Sequence, residues 1–140
     1  MGFQPMGQGS PITAGNCTYR RANDNPHKTN LNRDASVHGW WVYVSGTCPI
    51  DANVDIYLQA LWRNPNGTVT WLTVDSNSAQ LKPGTGQMGR RVNARITCAT
   101  QVNTLFRALT DVDLPGIIDP PGMQASPQVT LSCSPPGPHT

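Results

Sequence analysis

Apolar and polar residues alternate with a period of two through most of the chain. In 53–63 (NVDIYLQALWR), Val54, Ile56, Leu58, Ala60 and Trp62 fall on one face. Leu, Gln and Ala would suit a helix, but strict alternation identifies a strand. Six further runs, roughly 15–21, 36–46, 68–75, 90–98, 103–113 and 127–134, are rich in β-branched and aromatic residues, with turn residues between them. Seven short strands at this spacing predict an all-β fold, an immunoglobulin-like two-sheet sandwich of antiparallel strands. Residues 1–14 are read as a flexible Gly/Pro-rich arm, 15–134 as the sandwich and 135–140 as a Pro-rich tail.

Two hairpins are legible in more detail. Asn64-Pro65-Asn66-Gly67 joins the third and fourth runs, with Pro presetting one turn angle and Gly accepting a left-handed one. A bulged turn sets Leu61 opposite Trp71 with Tyr57 on the same outer face. An unbulged one sets Leu61 opposite Thr70 and turns Leu72 and Val74 outward. The fifth and sixth runs are expected to pair through Ala99–Val102, with Ile96 facing Phe106 and Ala94 facing Ala108. Val92, Ala94, Ile96, Phe106, Ala108 and Val112 then form core, and Arg91, Arg95, Arg107, Leu105 and Leu109 face out. Trp40 and Trp41 are adjacent in one strand and must point to opposite faces.

Composition narrows the class. With 13 Gly, 13 Pro and only 13% charged residues, the chain lacks the makings of a helical bundle. A net charge of +2 is too small for the basic footprint of a nucleic-acid binder. No apolar run approaches the length of a membrane span. Residues 1–10 have no signal-peptide pattern, so an exported protein would be in its mature form. The alternative is a virion protein that oxidises only after cell lysis.

Cys17, Cys48, Cys98 and Cys133 are spread far apart, unlike the close pairs of structural zinc sites. Two disulfides and an oxidising compartment are expected. Three pairings are possible, and strand direction separates them. In an up-and-down course, Cys17 opens the first strand and Cys48 follows the second, at one end. Cys98 and Cys133 close the fifth and seventh at the other. Cys17–Cys48 and Cys98–Cys133 are therefore predicted. Antibody domains carry a single inter-sheet bridge instead, so the architecture is expected and not membership of that family.

Catalytic chemistry finds little support. G-x-S-x-G, H-E-x-x-H and Walker patterns are absent, and Lys82–Gln87 reads as a loop between sheets. His27, His38 and His139 have no ligand or triad spacing, and His38 reads as a packed or rim residue. Asp111, Asp113 and Asp119 supply too few oxygens for calcium and sit among turn residues. No cofactor or metal is expected. The glycosylation patterns Asn16-Cys17-Thr18 and Asn66-Gly67-Thr68 are too short to be informative.

The surplus of apolar residues on the outer face is the more telling feature. Tyr57, Leu61 and Trp71, with Arg95, Arg107 and one of Trp40 and Trp41, form a candidate interaction surface. Arms folded back from the same chain could cover it, a protein partner could bind it, or its Trp and Tyr could form a sugar platform. The run Ser36-Val37-His38-Gly39-Trp40-Trp41, the Cys48-Pro49 turn, Val54–Gln59, Gly89–Arg95 through Cys98, and Thr110–Leu114 with a final cysteine resemble small secreted actinobacterial (Streptomyces-type) β-sandwich proteins. The function of that group is largely unknown. The resemblance implies export and two disulfides and transfers no functional residue. A looser similarity is to adaptor subunits of extracellular Streptomyces toxin particles, which would need an arm able to add a strand to a neighbour. The expected function is a secreted, non-enzymatic interaction or structural subunit of an extracellular assembly, latching through face and arms. A carbohydrate-binding module and a virion or filament subunit are the alternatives.

Overall fold

The computed structural model describes residues 7–136. Those residues form eleven strands and no helix. They are β1 (Gly7–Gln8), β2 (Ile12–Ala14), β3 (Cys17–Asn23), β4 (His27–Thr29), β5 (Asp34–Gly46), β6 (Ala52–Arg63), β7 (Val69–Leu81), β8 (Val92–Thr97), β9 (Thr100–Asp113), β10 (Gln124–Ala125) and β11 (Val129–Ser134). Two antiparallel sheets result. In the first, β5 is central, with β8 on one edge and β3 then β4 on the other, while β1 and β2 follow β3. In the second, β7, β6 and β9 lie side by side, and β10 and β11 share the far edge of β9. The all-β sandwich expected from the alternation is therefore present.

The core fills the space between the sheets. Val54, Ile56, Leu58, Phe106, Ala108 and Val112 of the second sheet meet Tyr19, Val37, Trp41, Ala94 and their neighbours of the first. All are almost fully excluded from water, as their shared parity in each strand requires. Trp41 donates its indole N–H to the Leu81 carbonyl at 2.8 Å and meets Tyr19 edge-on. Asn23 bridges the sheets, its side-chain amide donating to Thr110 Oγ1 at 2.9 Å and to the Gln124 carbonyl at 2.8 Å. Both predicted disulfides form, Cys17–Cys48 and Cys98–Cys133.

Several expectations are corrected. The β8–β9 hairpin does not exist: β8 pairs with β5, setting Ala94 beside Val37 and Ile96 beside Ala35. The short link crosses between sheets, because the Cys98 amide bonds Arg33 O and the next amide, of Ala99, bonds Ser134 O. Within the expected flexible arm, Gly7–Gln8 and Ile12–Ala14 pair with β3 as short strands. Residues 1–6, and 137–140 of the expected tail, lie outside the described residues.

The outer edge of β8 is not left open. Asn77 and Asp75 of β7 reach across to it, Asn77 donating to Asn93 O at 3.0 Å and Asp75 accepting from the Arg95 amide at 2.8 Å. These contacts occupy backbone groups that would otherwise invite another strand.

Candidate interaction surface

The outer face of the second sheet is built by the odd-numbered residues of β6 and β9. Asn64-Pro65-Asn66-Gly67 closes the β6–β7 hairpin with Gly67 at φ 89° and Asn64 N bonded to Thr68 O at 2.8 Å. This turn sets Leu61 opposite Trp71, the bulged alternative. Further along, Gln59 faces Thr73 on one side and Arg107 on the other, and Tyr57 faces Leu109. Leu105 and Leu109 continue the same face towards β11 and β10. Tyr57, Leu61, Trp71, Leu105 and Leu109 are all half-buried.

A polar brace runs through this apolar patch. The Arg107 guanidinium lies 4.3 Å over the Trp71 ring, a cation–π contact. Its Nε donates to Gln59 Oε1 at 2.8 Å, and Gln59 Nε2 donates to Thr73 Oγ1 at 3.0 Å. Burial pulls the Arg107 guanidinium below its usual value, yet an arginine so placed remains charged. The brace fixes the Trp71 ring, so a partner meeting it would have less side-chain entropy to freeze.

The opposite end of the face is acidic. Asp55 stands directly across from Asp111, with Asp113 within reach of both. Burial, followed by the charges of Asp113 and Asp55, pushes the Asp111 carboxyl up. Burial likewise raises Asp119, against a hydrogen bond from the Leu114 amide that lowers it. Burial and the same carboxylates raise the Tyr57 hydroxyl. The surface thus grades from apolar and cationic at the hairpin end to acidic at the other.

The remaining predicted residues lie elsewhere. Trp41 is core and Trp40 is only 1% exposed, so neither is open to a partner. Trp40 does point away from the sandwich interior, but the loop after β7 covers it. Gly84 N bonds the Trp41 carbonyl at 3.0 Å, and a Cβ on Gly86 would come within 2.9 Å of the Trp40 ring. Arg95 belongs to the other sheet, where its Nε lies 3.6 Å from Asp34 Oδ2.

Trp62, expected in the core, is 37% exposed. Its face is the inner one, but β8 ends at Thr97, short of the hairpin tip. Ala60, Trp62, Leu72 and Val74 instead line a cleft of about 390 Å³ with Pro135 and Pro136. The hairpin therefore carries apolar side chains on both faces.

One cluster was not legible in the sequence. Asp24, His27 and His38 come together on the outer face of the first sheet. Their spacing follows no ligand motif because a break between β3 and β4 brings them together. The only signal was Pro26, which cannot donate to a sheet ladder and so marks that break.

No family model, no curated protein and no solved structure matches the chain.

Proposed function

We propose that this protein is a secreted, non-enzymatic interaction subunit that binds a protein partner through the outer face of its second sheet. One observation carries the proposal: a half-buried patch of Tyr57, Leu61, Trp71, Leu105 and Leu109 with Arg107 fixed over Trp71. Among the described residues no further strand packs over it, since all eleven are used in the two sheets. Tryptophan, tyrosine and arginine are the residues that dominate protein interfaces, and the graded charge would orient a partner. Two disulfides are compatible with an oxidising, extracellular setting. No helix of the described residues is long and apolar enough to cross a membrane.

The strand order supports the immunoglobulin-like reading. β3 with β4, β5 and β8 correspond to strands A, B and E. β7, β6, β9 and β10 with β11 correspond to C′, C, F and G. On this reading β1 and β2 add an extra edge outside strand A, where a neighbouring chain could continue the sheet.

Affinity purification from the native culture fluid tests the proposal. Wild type should retain a defined partner, and Trp71→Ala should weaken that complex by about thirtyfold, the scale of a hot-spot truncation. Equal retention by Trp71→Ala and by Leu61→Ser would overturn it. Glycan binding without any protein partner would favour the carbohydrate module instead.

A further inference from the structure

The break between β3 and β4 changes what two of the histidines can do. β3 leaves the β5 edge after Asn23, and β4 rejoins it at His27. Asp24 stays opposite His38, its amide bonded to the His38 carbonyl at 3.1 Å. His27 pairs with Ser36, two residues from His38 along β5. The rings are therefore diagonal neighbours on one face, with centroids 5.6 Å apart and planes within 18°. One ligand-capable atom from each of Asp24, His27 and His38 lies within 4.8 Å of the other two.

The hydrogen bonds assign the ring nitrogens. His38 Nδ1 lies 2.7 Å from Asp24 Oδ2, and Asp24 Oδ1 accepts the His38 amide at 2.6 Å. His27 Nδ1 lies 2.8 Å from the Asn25 carbonyl, which can only accept. In its neutral form each ring thus carries its proton on Nδ1 and leaves the Nε2 lone pair for a ligand. A carboxylate or carbonyl holding the far N–H is how proteins fix and polarise metal-binding histidines. The site is also sheltered, with the His38 and Asp24 side chains 14% and 17% exposed. Neighbouring cations are held elsewhere: Lys28 on Gln101 and Ser132, and Arg95 beside Asp34.

We infer that His27 and His38 bind one divalent transition-metal ion of the zinc, nickel and copper class through Nε2, with Asp24 orienting His38. Imidazole nitrogen suits these ions, and calcium or magnesium would demand more oxygen. Two nitrogens about 2.0–2.1 Å from a tetrahedral ion stand roughly 3.3 Å apart, so the stacked rings, with centroids 5.6 Å apart, would have to tilt towards each other to hold it. Water completes the coordination. The ion would pin the 24–27 segment to β5.

Calorimetric titration of the full, disulfide-intact chain with Zn²⁺ tests this. One ion per chain is expected. His27→Ala and His38→Ala should each weaken binding at least tenfold, and Asp24→Asn by about 10–100-fold. His139→Ala should leave it unchanged. Nitrogen NMR of the wild type needs no variant: Zn²⁺ should shift Nε2 of both His27 and His38. No binding at millimolar ion, unchanged affinity in His27→Ala or His38→Ala, loss in His139→Ala, or unshifted Nε2 resonances would overturn the proposal.

Discussion

Asp111 shows how a single residue records a cost. It faces Asp55 across the strand pair and has Asp113 close by. Burial and these charges raise its carboxyl above the ordinary range, and Asp119 is raised too, chiefly by burial. The folded chain therefore takes up protons at a higher pH than the unfolded chain. The stability these groups contribute is full below the unfolded carboxylate value and is lost as pH rises through the raised folded values. Asp111→Asn should accordingly stabilise the protein at neutral pH by about 0.2–1 kcal/mol, the scale of a cross-strand like-charge pair. It should give no gain near pH 3, where the unfolded carboxylates are largely protonated. Thermal melts at both values check this, and an equal gain at both would contradict the electrostatic cause. Residue by residue, parity was the part of this fold that sequence could supply. It put Val54, Ile56, Leu58 and Ala60 inside and set Trp40 and Trp41 on opposite faces, without saying which of the two points inward. It could not foresee that a loop some forty residues downstream would close over Trp40.

At the scale of elements, the β6–β7 hairpin was legible because its turn chemistry is local, but Pro65 and Gly67 allowed two registers, and the structure takes the one with Leu61 opposite Trp71. The pairing of β8 was not. Its link to β9 is as short as a hairpin loop, but the Cys98 and Ala99 amides serve different sheets. Both arrangements keep Ala94, Ile96, Phe106 and Ala108 buried, so burial pattern alone cannot choose between them. Trp62 failed for a related reason, since alternation gives the face of a residue but not where the opposing sheet ends. The disulfides survive the change of pairing because cysteine position depends on which end of the sandwich a strand reaches. Cys98–Cys133 joins the β8–β9 crossing to β11 over a separation of 35 residues. Replacing both cysteines by Ala should cost about 3–4 kcal/mol in the chain-entropy picture. Urea denaturation would show it as a lower midpoint, and a loss under about 1 kcal/mol would mean that the unfolded chain is already constrained there.

At the scale of the whole molecule, the two sheets differ in what their outer faces offer. The first covers its one outward tryptophan with a loop and carries the Asp24–His27–His38 cluster. The second leaves its patch half-buried, with no other strand over it among the described residues and with Arg107 seated on Trp71. That asymmetry is the basis for assigning partner binding to the second sheet. It was partly foreseen, since Tyr57, Leu61, Trp71 and Arg107 do share a face. Arg95, Trp40 and Trp41 lie in the other sheet, which alternation alone cannot distinguish from this one. Photo-crosslinking in the native culture fluid tests the assignment most directly, with benzoylphenylalanine placed singly at positions 57, 61, 71 and 95. One discrete adduct is expected from positions 57, 61 and 71 and none from 95. Adducts from position 95 alone, or from none of the four, would contradict it.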